Sequence, residues 1–461
     1  MNYSPNDINS IVNYAKKLVG NSLRDFCGDD IKNHGFKGKG NFGQLIEKYY
    51  FQYEPNSTSE ADFSEVGMEL KTTPLKQISN GSYSSKERLV LNIINYFEVV
   101  NQKFESSSFY KKNSHLLLIF YLHQYEIDVL DLIIKIVGEW KFPETDLEII
   151  KSDWKLITDK IKQGKAHELS EGDTFYLGAA TKGGKGGNLR GQPNSKIFAK
   201  QRAYSFKQGY LNHIIATLSK DLSLSYGKLI TSKEQIRNKS IQELVIERFN
   251  PYIGKTIDDI IINLNNKKLN KSAKGFYSSL TKLILGISLE KEIEEFDKAE
   301  IKLKTIRLKL NNLPKEDMSF PSFGYLDLVN EDWDNSSFKE ILETKYFFVF
   351  FKYDHNEVLR LNKVKFWNMS QKDIIEAKKV WQKVKKVIAN GDIVREVVNG
   401  IRYTNFPSKS FNKIAHIRPH AQNAADTLPL PVRDKITKQM EYTKHSFWLN
   451  SSYIKDVILP D

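Results

Sequence analysis

The chain has 461 residues, 40% of them hydrophobic and 27% charged, with a formal net charge of +13. That length suggests two or three domains, each able to bury its own core, and the basic balance favours a polyanionic partner, either nucleic acid or an anionic membrane surface. Cys27 is the only cysteine, which excludes an internal disulfide and a cysteine-based zinc site.

In chain order, "MNYSPNDINS" opens without a charged start followed by an apolar core, so no secretory signal is expected. Together with the single cysteine this points to a cytoplasmic location. The first patterned segment is "GNFGQLIEKYY" at 40–50. Phe42, Leu45, Ile46 and Tyr49 share one helical face, and Glu47 stands beside it, in reach of a neighbouring sheet.

"EVGMELKTT" at 65–73 then alternates. Met68, Leu70 and Thr72 point one way, and Glu69 and Lys71 the other. Gly67 and Pro74 bound this short strand. Asp62 precedes it, where a turn can return its carboxylate to Glu69. Two converging carboxylates form an oxygen site for a hard divalent cation such as magnesium, with the Leu70 main-chain carbonyl as a further ligand. Lys71 beside such a site can hold or help deprotonate an attacking water and stabilise charge on a phosphodiester. The same residues also suit an exposed sheet edge carrying solvated charges.

"HLLLIFYL" at 115–122 is the longest strongly apolar run and is too short to span a bilayer; it reads as a buried strand. "DLEIIKSDWKLITDKIKQGKA" at 146–166 has helical periodicity and ends on Gly164. "ATKGGKGGNLRGQ" at 180–192 sets Lys182, Lys185 and Arg190 among glycines. Such a loop can approach a groove and reach phosphates or guanine edges, or be an ordinary surface loop. No P-loop and no metalloprotease histidine spacing occurs.

The remainder of the chain repeats this order. "NYAKKLVGNSLRDF" (13–26) is echoed by "NPYIGKTIDDII" (250–261), and "GNFGQLIEKYY" by "GFYSSLTKLIL" (275–285). "ADFSEVGMELKTTPLK" (61–76) is echoed by "EFDKAEIKLKTIRLK" (295–309), and "HLLLIFYL" by "KYFFVFFKYD" (345–354). The long helix returns at 373–393, with Trp381 and Gly391 matching Trp154 and Gly164. "RAYSFKQGYLNHII" (202–215) returns as "HSFWLNSSYIKDVI" (445–458). The expected fold class is therefore α/β, with a mixed α+β sheet in each of two tandem duplicated domains. Residues 1–225 form the first domain, 226–245 a linker and 246–461 the second.

"GNFGQLIE", "ADFSEVGMELKTTPLK", "YSSKERLVLNIINY" (83–96), "GKAHELSEG" (164–172) and "AKQRAYSFKQGY" (199–210) follow one another in an order and spacing that resemble the mismatch-repair endonuclease family MutH. They are also similar to the two-domain type II restriction endonucleases of that family that cut at GATC. The resemblance implies a restriction-endonuclease-like fold of the PD-(D/E)XK superfamily and magnesium-dependent cleavage of duplex DNA. It implies Asp62, Glu69 and Glu47 as metal carboxylates, Lys71 as catalytic lysine and Lys112 as a second family lysine. Arg202 and Lys207 join Lys182, Lys185 and Arg190 as expected DNA contacts. The family's Arg-Pro-Lys reading motif is replaced in the first copy by Ala180, Thr181 and Lys182. The second copy keeps it better, as Arg418, Pro419 and His420. Trp448, opposite Ser205 of the first copy, aligns with a base-contacting aromatic of the family.

The second copy reverses charge where the first is expected to bind metal. Glu295 stands for Asp62, Lys302 for Glu69, Lys304 for Lys71 and Lys282 for Glu47. A unit charge about 4 Å from a dication contributes roughly 8 kcal/mol at an effective dielectric near 20. Changing its sign turns that attraction into repulsion, so the second copy is expected to be catalytically dead and to bind DNA as an effector, as the resemblance also implies. The expected partners are duplex DNA carrying GATC, at one site or two at once, and a cognate adenine or cytosine methyltransferase. The expected state is a monomer in solution or a dimer formed on DNA. The alternatives are a methyl-directed nicking endonuclease of mismatch repair and a non-catalytic DNA-binding regulator.

Overall fold

The computed structural model describes residues 2–28, 41–55, 60–182, 188–221, 225–265, 269–423 and 425–460. The chain divides into two compact units. One comprises Met1–Leu244 together with Gly286–Glu300; the other comprises Val245–Leu285 together with Ile301–Asp461. Residues 286–300, expected in the second copy, thus group with the first unit.

Two sheets of three or more strands form the first unit's framework, beside two-stranded pairs Leu189–Gln192 with Ser195–Lys200 and Tyr226–Gly227 with Glu292–Ile293. The larger contains β1 (Glu69–Gln77), β2 (Tyr83–Ser85), β4 (His115–Leu122) and β5 (Ile134–Lys141), in the order β2-β1-β4-β5. β1 runs parallel to β4, with Glu69 opposite Leu116, and β4 runs antiparallel to β5, with Leu116 opposite Trp140. β4 is buried along most of its length, which is why its sequence reads as a continuous apolar run rather than an alternation. β1 does not stop at Pro74. Pro74 faces the β2 side, where its carbonyl still accepts from the Lys86 amide at 2.9 Å, so its missing N–H falls on the outer flank of the sheet and interrupts no bond to β4.

The smaller sheet has the order β3-β7-β6, from β3 (Val90–Ile93), β6 (Leu177–Thr181) and β7 (Arg202–Phe206). Helix α1 (Asn41–Leu45) continues into a wider π-type turn over Ile46–Tyr50. The other helices that matter here are α2 (Ser108–Asn113), α3 (Glu144–Lys162) and α4 (Gln208–Ser219). Phe42, Leu45 and Ile46 are buried with Met68, Leu70, Leu117 and Ile119 in one apolar cluster. That packing presses the Glu47 turn against the β1 end of the sheet.

The second unit repeats these parts. β8 (Lys302–Leu308) runs parallel to β10 (Tyr346–Tyr353), which runs antiparallel to β11 (Leu359–Trp367), in the order β8-β10-β11. β9 (Met318–Ser322), β12 (Ala415–Pro419) and β13 (His445–Leu449) form a sheet in the order β9-β13-β12. Helices α5 (Ser337–Leu342) and α6 (Gln371–Ala389) answer α2 and α3.

Register makes the duplication concrete. Lys302 lies opposite Tyr346, and Tyr346 opposite Trp367, as Glu69, Leu116 and Trp140 do in the first unit. α3 and α6 each have 19 residues. Each is followed by a left-handed glycine, Gly164 (φ 72°) and Gly391 (φ 64°), where a β-carbon would run into a main-chain carbonyl, of Asn194 or Arg433 respectively. Only glycine meets both demands without strain.

Candidate active site

The turn before β1 decides the site. Phe63 and Met68 exchange main-chain hydrogen bonds of 2.9 and 3.2 Å around the left-handed Gly67 (φ 63°). This tight return brings Asp62 back beside the start of β1. The Leu70 amide donates to Asp62 Oδ2 at 2.9 Å, and the Asp62 amide donates to Glu69 Oε2 at 3.2 Å. Glu69 is only 1% exposed. The Lys71 ammonium donates to Glu69 Oε1, and Lys112, from the last turn of α2, lies 3.6 Å from the same oxygen.

Glu47 faces this group from the α1 side. Burial pushes its pKa up to about 7, with Asp62 and Glu69 adding to the rise and Lys71 and Lys112 opposing it. Burial also raises Glu69, against the pull of Lys71 and Lys112. Asp62, Glu69, Glu47, Lys71 and Lys112, which the sequence scatters over 66 positions, therefore act on one another at one place.

Among the described residues no group of three or more His, Cys, Asp and Glu side chains forms a ready-made metal shell. The Lys71 ammonium instead sits on Glu69. The donor set nevertheless suits a hard dication: three carboxylates face two ammoniums, and burial leaves two of the three reluctant to ionise without a cation.

Tyr53 is a member of the site that its sequence context does not mark. Its amide donates to the Glu47 carbonyl at 3.1 Å, and its ring packs against Phe63, with centroids 5.6 Å apart. Its hydroxyl is buried and finds no hydrogen-bond partner among the described residues. Burial, then Asp62, Glu47 and Glu69, drive its pKa far above the ordinary value, so it remains a donor beside three acceptors. A tyrosine six residues after Glu47 carries no periodic signal, because the irregular turn at 46–50 sets its direction.

The raised Glu47 pKa has a measurable sign. Glu47 holds its proton more tightly folded than unfolded, so in chelator stability should fall as pH rises from the ordinary 4.5 toward 7 and then level off. Glu47→Gln should flatten that part of the melting-temperature profile. An unchanged slope in the variant would mean that Glu47 is not buried in this cluster.

The expected DNA contacts divide. Lys182 and Arg190 are exposed, and Lys185 lies outside the described residues. Arg202 and Lys207 are turned inward. Arg202 is 6% exposed and donates to the Ala179 and Leu169 carbonyls at 2.9 and 2.6 Å. The Lys207 ammonium donates to the Glu171 carbonyl. Burial pushes the Glu171 carboxyl up, but the Arg88, Lys207 and Arg202 cations outweigh it and hold it below the usual range. These two cations support the β6–β7 sheet from within.

In the second unit, Arg418 stacks its guanidinium 4.8 Å from the Trp448 ring centroid, and the His420 ring lies 5.3 Å from that indole. Pro419 ends β12 beside them, exposed and paired with His445. Trp448 pairs with His416, and Ser205 pairs with Gly178 at the same step of the first unit's sheet. By the same register Ala180, Thr181 and Lys182 answer Arg418, Pro419 and His420.

Residues 51–153 match the family described as "DNA mismatch repair enzyme MutH". The span contains Asp62, Glu69, Lys71 and Lys112. Over 97% of its length the chain is 37% identical to the "Type II restriction enzyme Sau3AI" of Staphylococcus aureus, and the similarity covers 97% of that protein too. The chain belongs to the MutH-like type II restriction endonucleases. It is also 28% identical to a "DNA mismatch repair protein MutH" of Buchnera aphidicola, over 34% of this chain and 71% of that protein. For the protein of that name from Shewanella woodyi the figures are 27%, 36% and 72%. The MutH proteins thus correspond to about one unit, whereas the restriction enzyme spans both. Among the described residues of this family member, no helix is long and apolar enough to cross a membrane.

Proposed function

We propose that this chain makes magnesium-dependent double-strand cuts in DNA at GATC, that the Glu69 cluster performs the hydrolysis, and that the second unit binds DNA without cutting it. The observation that carries the reading is the meeting of Asp62, Lys71 and Lys112 on the buried Glu69 carboxylate, with Glu47 alongside. Similarity to a type II restriction enzyme along both units supports double-strand cutting over single-strand nicking.

In this reading Asp62, Glu69 and Glu47, with the Leu70 carbonyl, hold the metal. Bound there, it withdraws charge from the phosphate and lowers the pKa of a water. With the metal bound, Lys71 would be released from Glu69 and could help hold or deprotonate the attacking water and stabilise charge on the phosphate. Lys112 offsets part of the carboxylate charge and so lets DNA approach. The second unit keeps Lys304 at the place of Lys71 but lacks the Glu69 carboxylate and the Lys112 ammonium. Lys302 replaces Glu69, and Ile341 of α5 takes the place of Lys112 when the capping serines Ser107 and Ser336 are superposed.

The test uses one plasmid in three forms, unmethylated, hemimethylated and fully adenine-methylated at GATC, with magnesium or with chelator. Fragments ending at every unmethylated GATC, and none in chelator, are expected. Nicks confined to one strand of hemimethylated sites would assign the chain to repair. A plasmid left intact even with magnesium, yet bound tightly in chelator, would make it a regulator.

A further inference from the structure

The second unit keeps the catalytic strand's place in the sheet but changes its charges. Lys302 and Lys304 share one face of β8, at the register positions of Glu69 and Lys71. Lys302 is exposed and Lys304 half-buried. Burial and then the Lys302 ammonium lower the Lys304 pKa, and no carboxylate among the described residues offsets them. A partly desolvated cation beside a second cation is an unfavourable arrangement when empty, and it favours an anion strongly. It also repels a metal ion.

We propose that Lys302 and Lys304 form a phosphate clamp that holds one DNA phosphodiester directly, without metal, where the first unit would hold the phosphodiester it cuts. The clamp rests on the reading of the second unit as DNA-binding. Arg418, His420 and Trp448 make DNA the anion source of choice, since a guanidinium stacked on an indole beside an imidazole suits base edges rather than a free phosphate. Residues two apart on a strand share a face and rise from points roughly 6.6 Å apart, close enough for both ammoniums to reach one phosphate. Reuse of the old metal position explains why a strand stripped of its chemistry carries lysines rather than apolar residues.

The test measures binding of a GATC duplex by full-length protein carrying Asp62→Ala, in chelator, across a salt series. Pairing Lys302→Gln with Lys304→Gln should flatten the plot of log affinity against log salt by about 0.9 for the lost phosphate contact. Affinity at low salt should fall several-fold. The free protein should melt no lower, because a like-charge repulsion is removed. Arginine at both positions should keep the slope. Arg418→Ala in the same assay separates the two levels. If Arg418→Ala weakens binding and the lysine pair leaves the slope unchanged, the clamp is overturned while DNA binding by the second unit stands. If neither has an effect, the second unit is not a DNA-binding module and the clamp falls with it.

Discussion

Glu69→Lys should abolish DNA cleavage. The substitution writes the second unit's pattern into the first, setting a second ammonium beside Lys71 as Lys302 stands beside Lys304. Glu69 touches both lysines and, through the Asp62 amide, the turn that carries Asp62. Reversing its charge changes a nearby dication's energy by roughly twice 8 kcal/mol at an effective dielectric near 20, far beyond what side-chain rearrangement returns. Lys71→Ala is the milder companion. It leaves all three carboxylates and removes one electrostatic stabiliser, for which a loss of about 10²–10³-fold in single-turnover rate is usual. DNA binding in chelator should survive Lys71→Ala. The reverse change, Lys302→Glu, should not revive the second unit, because Ile341 stands where Lys112 does and Lys282, in the last turn of the helix Phe276–Ile284, stands for Glu47. A Glu69→Lys protein that still cuts would remove the proposed metal site altogether.

Much of this site is legible before folding, for a physical reason. Strand periodicity places Glu69 and Lys71 on one face whatever surrounds them, and Gly67 announces the turn that returns Asp62. The duplication is legible because two sheets with the same register need the same apolar pattern twice. What is not legible are the uses of charge that depend on distant partners. Arg202 and Lys207 look like DNA contacts in a basic segment, yet their donors face carbonyls of Leu169, Ala179 and Glu171. Glu295 echoes Asp62 in sequence, yet it receives the amides of Leu229 and Ile230 at 2.9 and 2.8 Å. Composition counts such groups but cannot say which main-chain atoms would otherwise lie buried and unpaired.

The segment that carries Glu295 leads to the second large effect. Lys298→Met should lower the melting temperature of the first unit by on the order of 10 °C. Lys298 is 4% exposed and donates to both oxygens of Asp146, at 3.1 and 3.2 Å, and to Glu294 at 2.8 Å. Its ammonium also lies 5.7 and 5.9 Å from the Tyr176 and Tyr210 ring centroids. Gly209 of α4 lets this segment approach, since a β-carbon there would collide with the Asp297 carbonyl. Removing Lys298 strands two buried carboxylates, and breaking a buried pair from one side typically costs about 3–5 kcal/mol. Pairing Lys298→Met with Asp146→Leu should recover part of the loss, because one of the two uncompensated charges is then gone. Burial already raises the Asp146 pKa, with Lys298 opposing, so in the single variant Asp146 can relieve itself by taking up a proton. The deficit should therefore be largest near neutral pH and shrink as the pH is lowered. A deficit independent of pH would mean that Lys298 contributes through its packing against Tyr176 and Tyr210, and not through its charge.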